Sequence, residues 1–120
     1  VAAVDPAEVI SVTQPDALLL FRYSALTGNG HRIHYDLPYV TGEEGYPGLI
    51  VHGPLQATLL AAHAAAVMPG RLARFSFRGL RPAFAGRTLS LHAVATDGVV
   101  ALESRDAEGA TCMKAQAGYA

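Results

Sequence analysis

The sequence predicts an α+β domain in which an antiparallel sheet wraps around one long buried helix. Three features point there: an uncharged, alanine-rich run in mid-chain, a change from helical to alternating periodicity after it, and turn-forming pairs between the alternating segments. From Gly45 to Gly70 there is no Asp, Glu, Lys or Arg. Pro47, Pro54 and Pro69 cut that run, so that only Leu55 to Met68 can be an unbroken helix, short of the ~20 residues a bilayer span requires. Pro54 suits a first helical turn, and Pro69-Gly70 suits a stop. Leu55, Leu59, Leu60, Val67 and Met68 are apolar and alanines fill most of the remainder, so this helix should be buried on nearly every side while staying slim.

Beyond the helix the period becomes two. Phe75 and Phe77 alternate with Arg74, Ser76 and Arg78, and Leu89, Leu91 and Ala93 alternate with Ser90, His92 and Val94. Val99 to Glu103 and Thr111 to Ala117 follow as further strands. Asp97-Gly98 and Glu108-Gly109 lie between the last three, and Asp-Gly favours a two-residue hairpin, so these strands should form an antiparallel meander. Upstream, Glu8 to Val12 reads as a fifth strand. Pro15 to Leu26 reads as a helix capped by Thr13 and closed at Gly28. The economical way to bury one apolar helix in 120 residues is to curl the sheet around it, which is the hot-dog fold. Residues 1–120 are expected to form a single domain, and the free sheet edges predict a homodimer.

Composition narrows the function. A net charge of −1 argues against general nucleic-acid binding, and no basic segment leads into an apolar one, so neither a membrane nor secretion is expected. The only cysteine, Cys112, cannot pair within the chain, and a reducing cytosol is the expected compartment. It reads as a packing residue, as do His63 and His92. The chain begins at Val1 rather than methionine, which leaves room for a longer parent.

The densest polar cluster is Thr27-Gly28-Asn29-Gly30-His31-Arg32-Ile33-His34-Tyr35-Asp36. Metal ligation by the two histidines and Asp36 would need a further ligand, and a purely structural loop is a second reading. Acid/base catalysis is the favoured one, because histidine exchanges protons near neutral pH. Downstream, Gly48-Leu49-Ile50-Val51-His52-Gly53-Pro54-Leu55 leads into the long helix. Unpaired N–H groups at a helix start attract an oxyanion, and Gly53 has no side chain to obstruct one; a plain helix-start signal is the competing reading.

The run from Leu20 to Leu55, through Asn-Gly-His-Arg-Ile-His-Tyr-Asp and Gly-Leu-Ile-Val-His-Gly-Pro-Leu, resembles the MaoC-like dehydratase family. It is most similar to the branch of 3-hydroxyacyl-thioester dehydratases and mesaconyl-CoA hydratases. The resemblance implies a hot-dog fold and reversible hydration of the double bond of an enoyl thioester carried on coenzyme A or acyl carrier protein, without a metal or organic cofactor. The wider family's motif is Gly-Asp-x-Asn-Pro-x-His. Here Gly28 matches the Gly, Asn29 takes the place of the Asp, His31 of the Asn and Arg32 of the Pro, and His34 matches the catalytic His. An asparagine holds water but accepts no proton, so His34 must act alone or with help from Asp36, Glu43 or Glu44.

Gly53 matches the family's oxyanion-hole glycine. The implied catalytic set is Asn29, His34 and Gly53. His31, Arg32, Asp36, Tyr46 and His52 are candidate substrate-binding residues, with Tyr46 a wall of the acyl pocket. Arg32, Arg74, Arg78 or Arg81 would meet the carrier's phosphates. Two alternatives stand beside this reading. An acyl-CoA thioesterase is disfavoured because Leu55 to Met68 contains no acid, only Gln56 and Thr58 as substitutes. A non-catalytic acyl-thioester binding module is motivated by the missing aspartate.

Overall fold

A computed structural model describes residues 8–119 apart from Pro69. Along the chain lie β1 (Val9–Thr13), α1 (Ala17–Thr27), one 3-10 turn (Arg32–His34), α2 (Leu37–Gly42), α3 (Gly53–Val67), β2 (Leu72–Gly79), β3 (Leu89–Thr96), β4 (Val99–Arg105) and β5 (Thr111–Tyr119). The five strands form one sheet in the order β1-β3-β4-β5-β2, with every neighbouring pair antiparallel. All five expected strands are present, and β3, β4 and β5 form the expected meander.

Alternation sets the two faces of the sheet. Rows in register across β3, β4 and β5, namely Leu91, Ser104 and Met113, then Ala93, Leu102 and Ala115, then Ala95, Val100 and Ala117, face α3. Leu55, Ala57, Leu60 and Ala64 are buried on the helix side of that contact, and Ala64, Ala93 and Ala117 are fully enclosed. Small residues on both sides let the helix axis approach the sheet closely. One polar tie crosses the contact, where Ser104 Oγ donates to Gln56 Oε1 over 2.8 Å.

Burial of α3 is more one-sided than its composition predicts. Pro54, Thr58, Ala62, Ala65 and Ala66 are exposed, because one sheet covers one side of a cylinder and no other element among the described residues covers the rest. The helix starts at Gly53 rather than Leu55 and ends at Val67; Pro69 lies outside the described residues. The first helix also differs from expectation. Asp16, not Thr13, is its N-cap, its carboxylate accepting from Leu19 N–H at 2.8 Å, while Thr13 is drawn into β1 opposite Leu89. Gly28 closes this helix as expected, with φ 66°.

Between β3 and β4, Asp97 and Gly98 both have positive φ, as the tight hairpin demands. The β4–β5 connection is longer. Asp106 organises it by accepting from the Glu108 and Ala110 amides, so Glu108-Gly109 is not a two-residue turn.

His63 and His92 both serve the edge strand. His63 donates from Nε2 to the Val9 carbonyl at 2.9 Å, and His92 lies between Ser90 Oγ (2.8 Å) and Glu8 (3.3 Å). Cys112 is fully buried, and burial raises its thiol pKa. Among the described residues no helix is long and apolar enough to cross a membrane.

Candidate functional site

The polar loop after α1 is a chain of local caps. Asn29 Oδ1 accepts from the His31 amide at 3.0 Å, an Asx turn that leads into the 3-10 turn. Asp36 then caps α2 by accepting from Tyr39 N–H at 3.1 Å and pairs with the Arg32 guanidinium at 2.9 Å. Those contacts hold its carboxyl pKa below the usual value, the Tyr39 amide contributing most. Arg32 also lies 4.1 Å from the centre of the Tyr39 ring. Within this loop His31, Arg32 and Tyr35 face solvent, while His34 turns inward and is only 7% exposed.

Ile50 holds the loop in place. Its amide donates to the Ile33 carbonyl at 2.9 Å, and its own carbonyl accepts from His34 Nδ1 at 2.6 Å. The short extended piece around Ile50 is fastened on its other side to residues 83–85, through Val51 N–H to Ala83 O (2.8 Å) and Ala85 N–H to Leu49 O (2.9 Å). The imidazole of residue 34 is thereby brought to the start of α3. Its ring stacks on that of His52 with centroids 3.7 Å apart and planes 16° from parallel. His52, the residue just before Gly53, is 1% exposed. Its Nε2 is 2.7 Å from Ser24 Oγ on α1, and the Tyr23 ring meets it edge-on at 4.8 Å.

This arrangement sets the protonation of His34. A carbonyl only accepts, so Nδ1 carries the hydrogen and Nε2 keeps a lone pair available as a base. Burial lowers the pKa of His34; the bond to Ile50 opposes that, and the nearby His31 adds to it. Burial, with His34 alongside, pushes His52 down to about 4. Both rings are therefore neutral at pH 7. The amide of Gly53, at the first position of α3, donates to no acceptor among the described residues. A Cβ built on Gly53 would meet nothing within 4 Å, so the space beside its Cα is open. A neutral base and an unpaired donor at one helix end, on a residue with no side chain to obstruct a ligand, can move a proton while stabilising developing negative charge.

The other candidates have surroundings of their own. Asn29 borders a shallow groove of about 260 Å³ together with Phe21, Ser24 and Tyr35. Tyr46 is part-exposed and lies 6.3 Å from the Phe84 ring. Glu44 is taken up by the Tyr39 hydroxyl at 2.9 Å. A larger open groove of about 550 Å³ lies elsewhere, lined by Arg78, His92, Glu103 and Lys114; of the candidate residues it includes Arg78 alone. No group of three or more potential metal ligands occurs among the described residues. Sequence reasoning missed Ser24, Tyr23 and Ile50. The first two left a weak signal as polar-capable residues on the inward side of α1, whereas Ile50 acts through its backbone and leaves none.

Residues 2–85 match the family hydroxyacyl-thioester dehydratase type 2. The chain belongs to that family. This hydroxyacyl-thioester dehydratase type 2 member is 48% identical over 101 residues to the mesaconyl-C(4)-CoA hydratase of Chloroflexus aurantiacus, covering 84% of this chain and 36% of that protein. It is 40% identical over 83 residues to the mitochondrial hydroxyacyl-thioester dehydratase type 2 of Schizosaccharomyces pombe, covering 67% and 28%. The chain thus spans about a third of the length of the curated relatives it matches.

Among solved structures, the (R)-hydratase of A. caviae superimposes with a TM-score of 0.85 at 17% identity, over 97% of this chain and 95% of that one. HtdX of Mycobacterium tuberculosis superimposes with a TM-score of 0.79 at 27% identity, over 97% of this chain and 48% of that one. The fold of this family member is the hot-dog fold.

Proposed function

We propose that this chain forms the reactive unit of an enoyl-thioester hydratase that also runs in reverse as a 3-hydroxyacyl-thioester dehydratase. One observation carries the reading. His34, with its Nδ1 hydrogen committed to Ile50, presents Nε2 as a base next to the helix end where the Gly53 amide is unpaired. In the proposed mechanism the Gly53 N–H, reinforced by the dipole of α3, donates to the thioester oxygen, stabilises the negative charge that develops there and makes the β-carbon electrophilic. Water lies between Asn29 and His34. Asn29 Oδ1 already accepts one bond, from the His31 amide, and has a second lone pair for it. His34 removes a proton from the water as its oxygen bonds to the β-carbon and the π electrons move to the thioester oxygen, and the imidazolium then gives a proton to the α-carbon. In the reverse direction the same histidine takes the α-proton and gives a proton to the β-hydroxyl, which leaves as water.

Tyr46 is assigned to the wall of the acyl site, with His31, Arg32 and Asp36 around it, while His52, 1% exposed, is enclosed behind His34 rather than open to substrate. The carrier is coenzyme A or acyl carrier protein. A homodimer covers the exposed face of α3, and the enclosed thiol of Cys112 suits a reducing cytosol. Thioester hydrolysis is the weaker reading, since α3 offers no carboxylate to activate water against a carbonyl carbon. The test is loss of conjugated-thioester absorbance across a panel of trans-2-enoyl-CoAs, with His34→Ala beside the parent. Hydration by the parent and none by a folded variant supports the proposal. Equal rates for the two proteins, or thiol release in place of hydration, would refute it.

A further inference from the structure

His34 owes its plane to residues that take no part in the proton transfers above. Ser24 lies in the last turn of α1 and is buried. A helical serine commonly bonds back to the carbonyl one turn before it. Here its hydroxyl is instead 2.7 Å from His52 Nε2. The His52 ring is held from three directions, by that hydroxyl, by the edge of Tyr23 and by the face of His34. Its remaining nitrogen, Nδ1, is buried without a hydrogen-bond partner. An unpartnered buried nitrogen opposes folding, so if only apolar packing were required here a phenyl ring would fit the need better.

We infer that Ser24 and His52 are positioning residues for His34: the Ser24 hydroxyl fixes the plane of the His52 ring, and that ring is the plate on which the His34 imidazole lies with Nε2 turned to substrate. The inference rests on the hydratase reading. Aligned planes 16° apart leave His34 free to slide but not to tilt, and the Nδ1–H bond to Ile50 stops the slide. The plate also excludes water from one face of His34. The titratable groups facing the two rings are each other, His31, edge-on to His34 at 5.9 Å, and Tyr23 against His52. Among the described residues no carboxylate hydrogen-bonds to either ring.

The experiment measures kcat, KM and the acid limb of the pH–rate profile for crotonyl-CoA hydration in the parent, Ser24→Ala, His52→Ala and His52→Phe. Removing the plate in His52→Ala should lower kcat about 100-fold with little change in KM, the signature of lost orientation rather than lost binding. Water admitted to the freed face should move the acid limb toward higher pH. Phenylalanine restores the plate but not the bond to Ser24, so His52→Phe should regain about ten-fold of that loss, move the limb back toward the parent position and behave like Ser24→Ala. Ser24→Ala should produce a smaller loss of the same kind.

A folded His52→Ala with parental kcat and an unmoved limb overturns the inference, as does His52→Phe no better than alanine. Histidine NMR provides a readout that does not depend on turnover. His34 should be an Nδ1–H tautomer in the parent and titrate higher in His52→Ala and Ser24→Ala, and an unchanged titration in both overturns the inference. If the parent hydrates no enoyl-CoA, the hydratase reading fails by itself, and the NMR titrations still decide whether the plate holds the ring.

Discussion

Replacing Gly53 by alanine separates a glycine retained for folding from one retained for a ligand. The added methyl would meet no protein atom within 4 Å, and Gly53 is not among the positive-φ glycines, so the helix start has no steric objection to it. Stability should be unchanged or raised by about 0.4–1 kcal/mol, because alanine has fewer unfolded conformations to lose. The same methyl would stand in the open space beside Cα and keep a thioester oxygen at a distance from the amide. Loss of one oxyanion donor costs about 2.7–4 kcal/mol of barrier, so hydration should slow about 100- to 1,000-fold. Crotonyl-CoA absorbance measures the rate and thermal melting followed by circular dichroism measures the fold. A Gly53→Ala protein that melts with the parent yet hydrates at the parental rate would refute the placement of the oxyanion. One that melts much lower would mean that the glycine serves packing after all.

His34→Gln retains a donor for the Ile50 carbonyl but has no base, and hydration should fall by about 10²- to 10⁴-fold without a comparable fall in melting temperature. Because both buried histidines bind protons more weakly when folded than unfolded, stability should be fully present above pH 6.5 and decline as pH falls. For His52 the window runs from 6.5 down to about 4 and is worth roughly 3 kcal/mol at most, so urea midpoints of the parent should fall more steeply across it than those of His52→Phe. Cys112, fully buried and with a raised pKa, should resist a thiol reagent in the native protein and react on unfolding; rapid native labelling would contradict its packing. Ser104→Ala leaves the Gln56 carboxamide without its donor in the core and should cost about 1–3 kcal/mol, read from denaturant unfolding.

Much of the framework could be read from periodicity. The switch from helical to alternating spacing after Met68 and the Asp97-Gly98 pair are local signals, and they located α3 and the β3–β4–β5 meander. Thr13 was the expected cap of α1, but Asp16 takes that place because pairing with Leu89 claims Thr13 for the sheet. α2 was not anticipated. It is only Leu37–Gly42, and its start depends on Asp36, whose carboxylate had been considered for chemistry rather than for capping. The expectation that α3 would be covered all round failed because alanine content reports what a surface tolerates, not what lies against it.

At the site, His34, His52 and Gly53 were legible from their residue types. What brings His34 to the helix end was not, since it consists of main-chain bonds at Ile50 to residues distant in sequence.

The double attachment at Ile50 has a consequence for how this protein could change over time. Ile33 and His34 on one side, and Ile50 on the other, close the neck of a lobe whose outer rim, Thr41 to Glu44, is exposed. Extra residues spliced into that rim would lengthen the lobe without disturbing its neck, since doubling a flexible loop costs only about 0.6 kcal/mol. The rim is therefore where lineages sharing this scaffold could diverge in length while the reacting atoms keep their spacing.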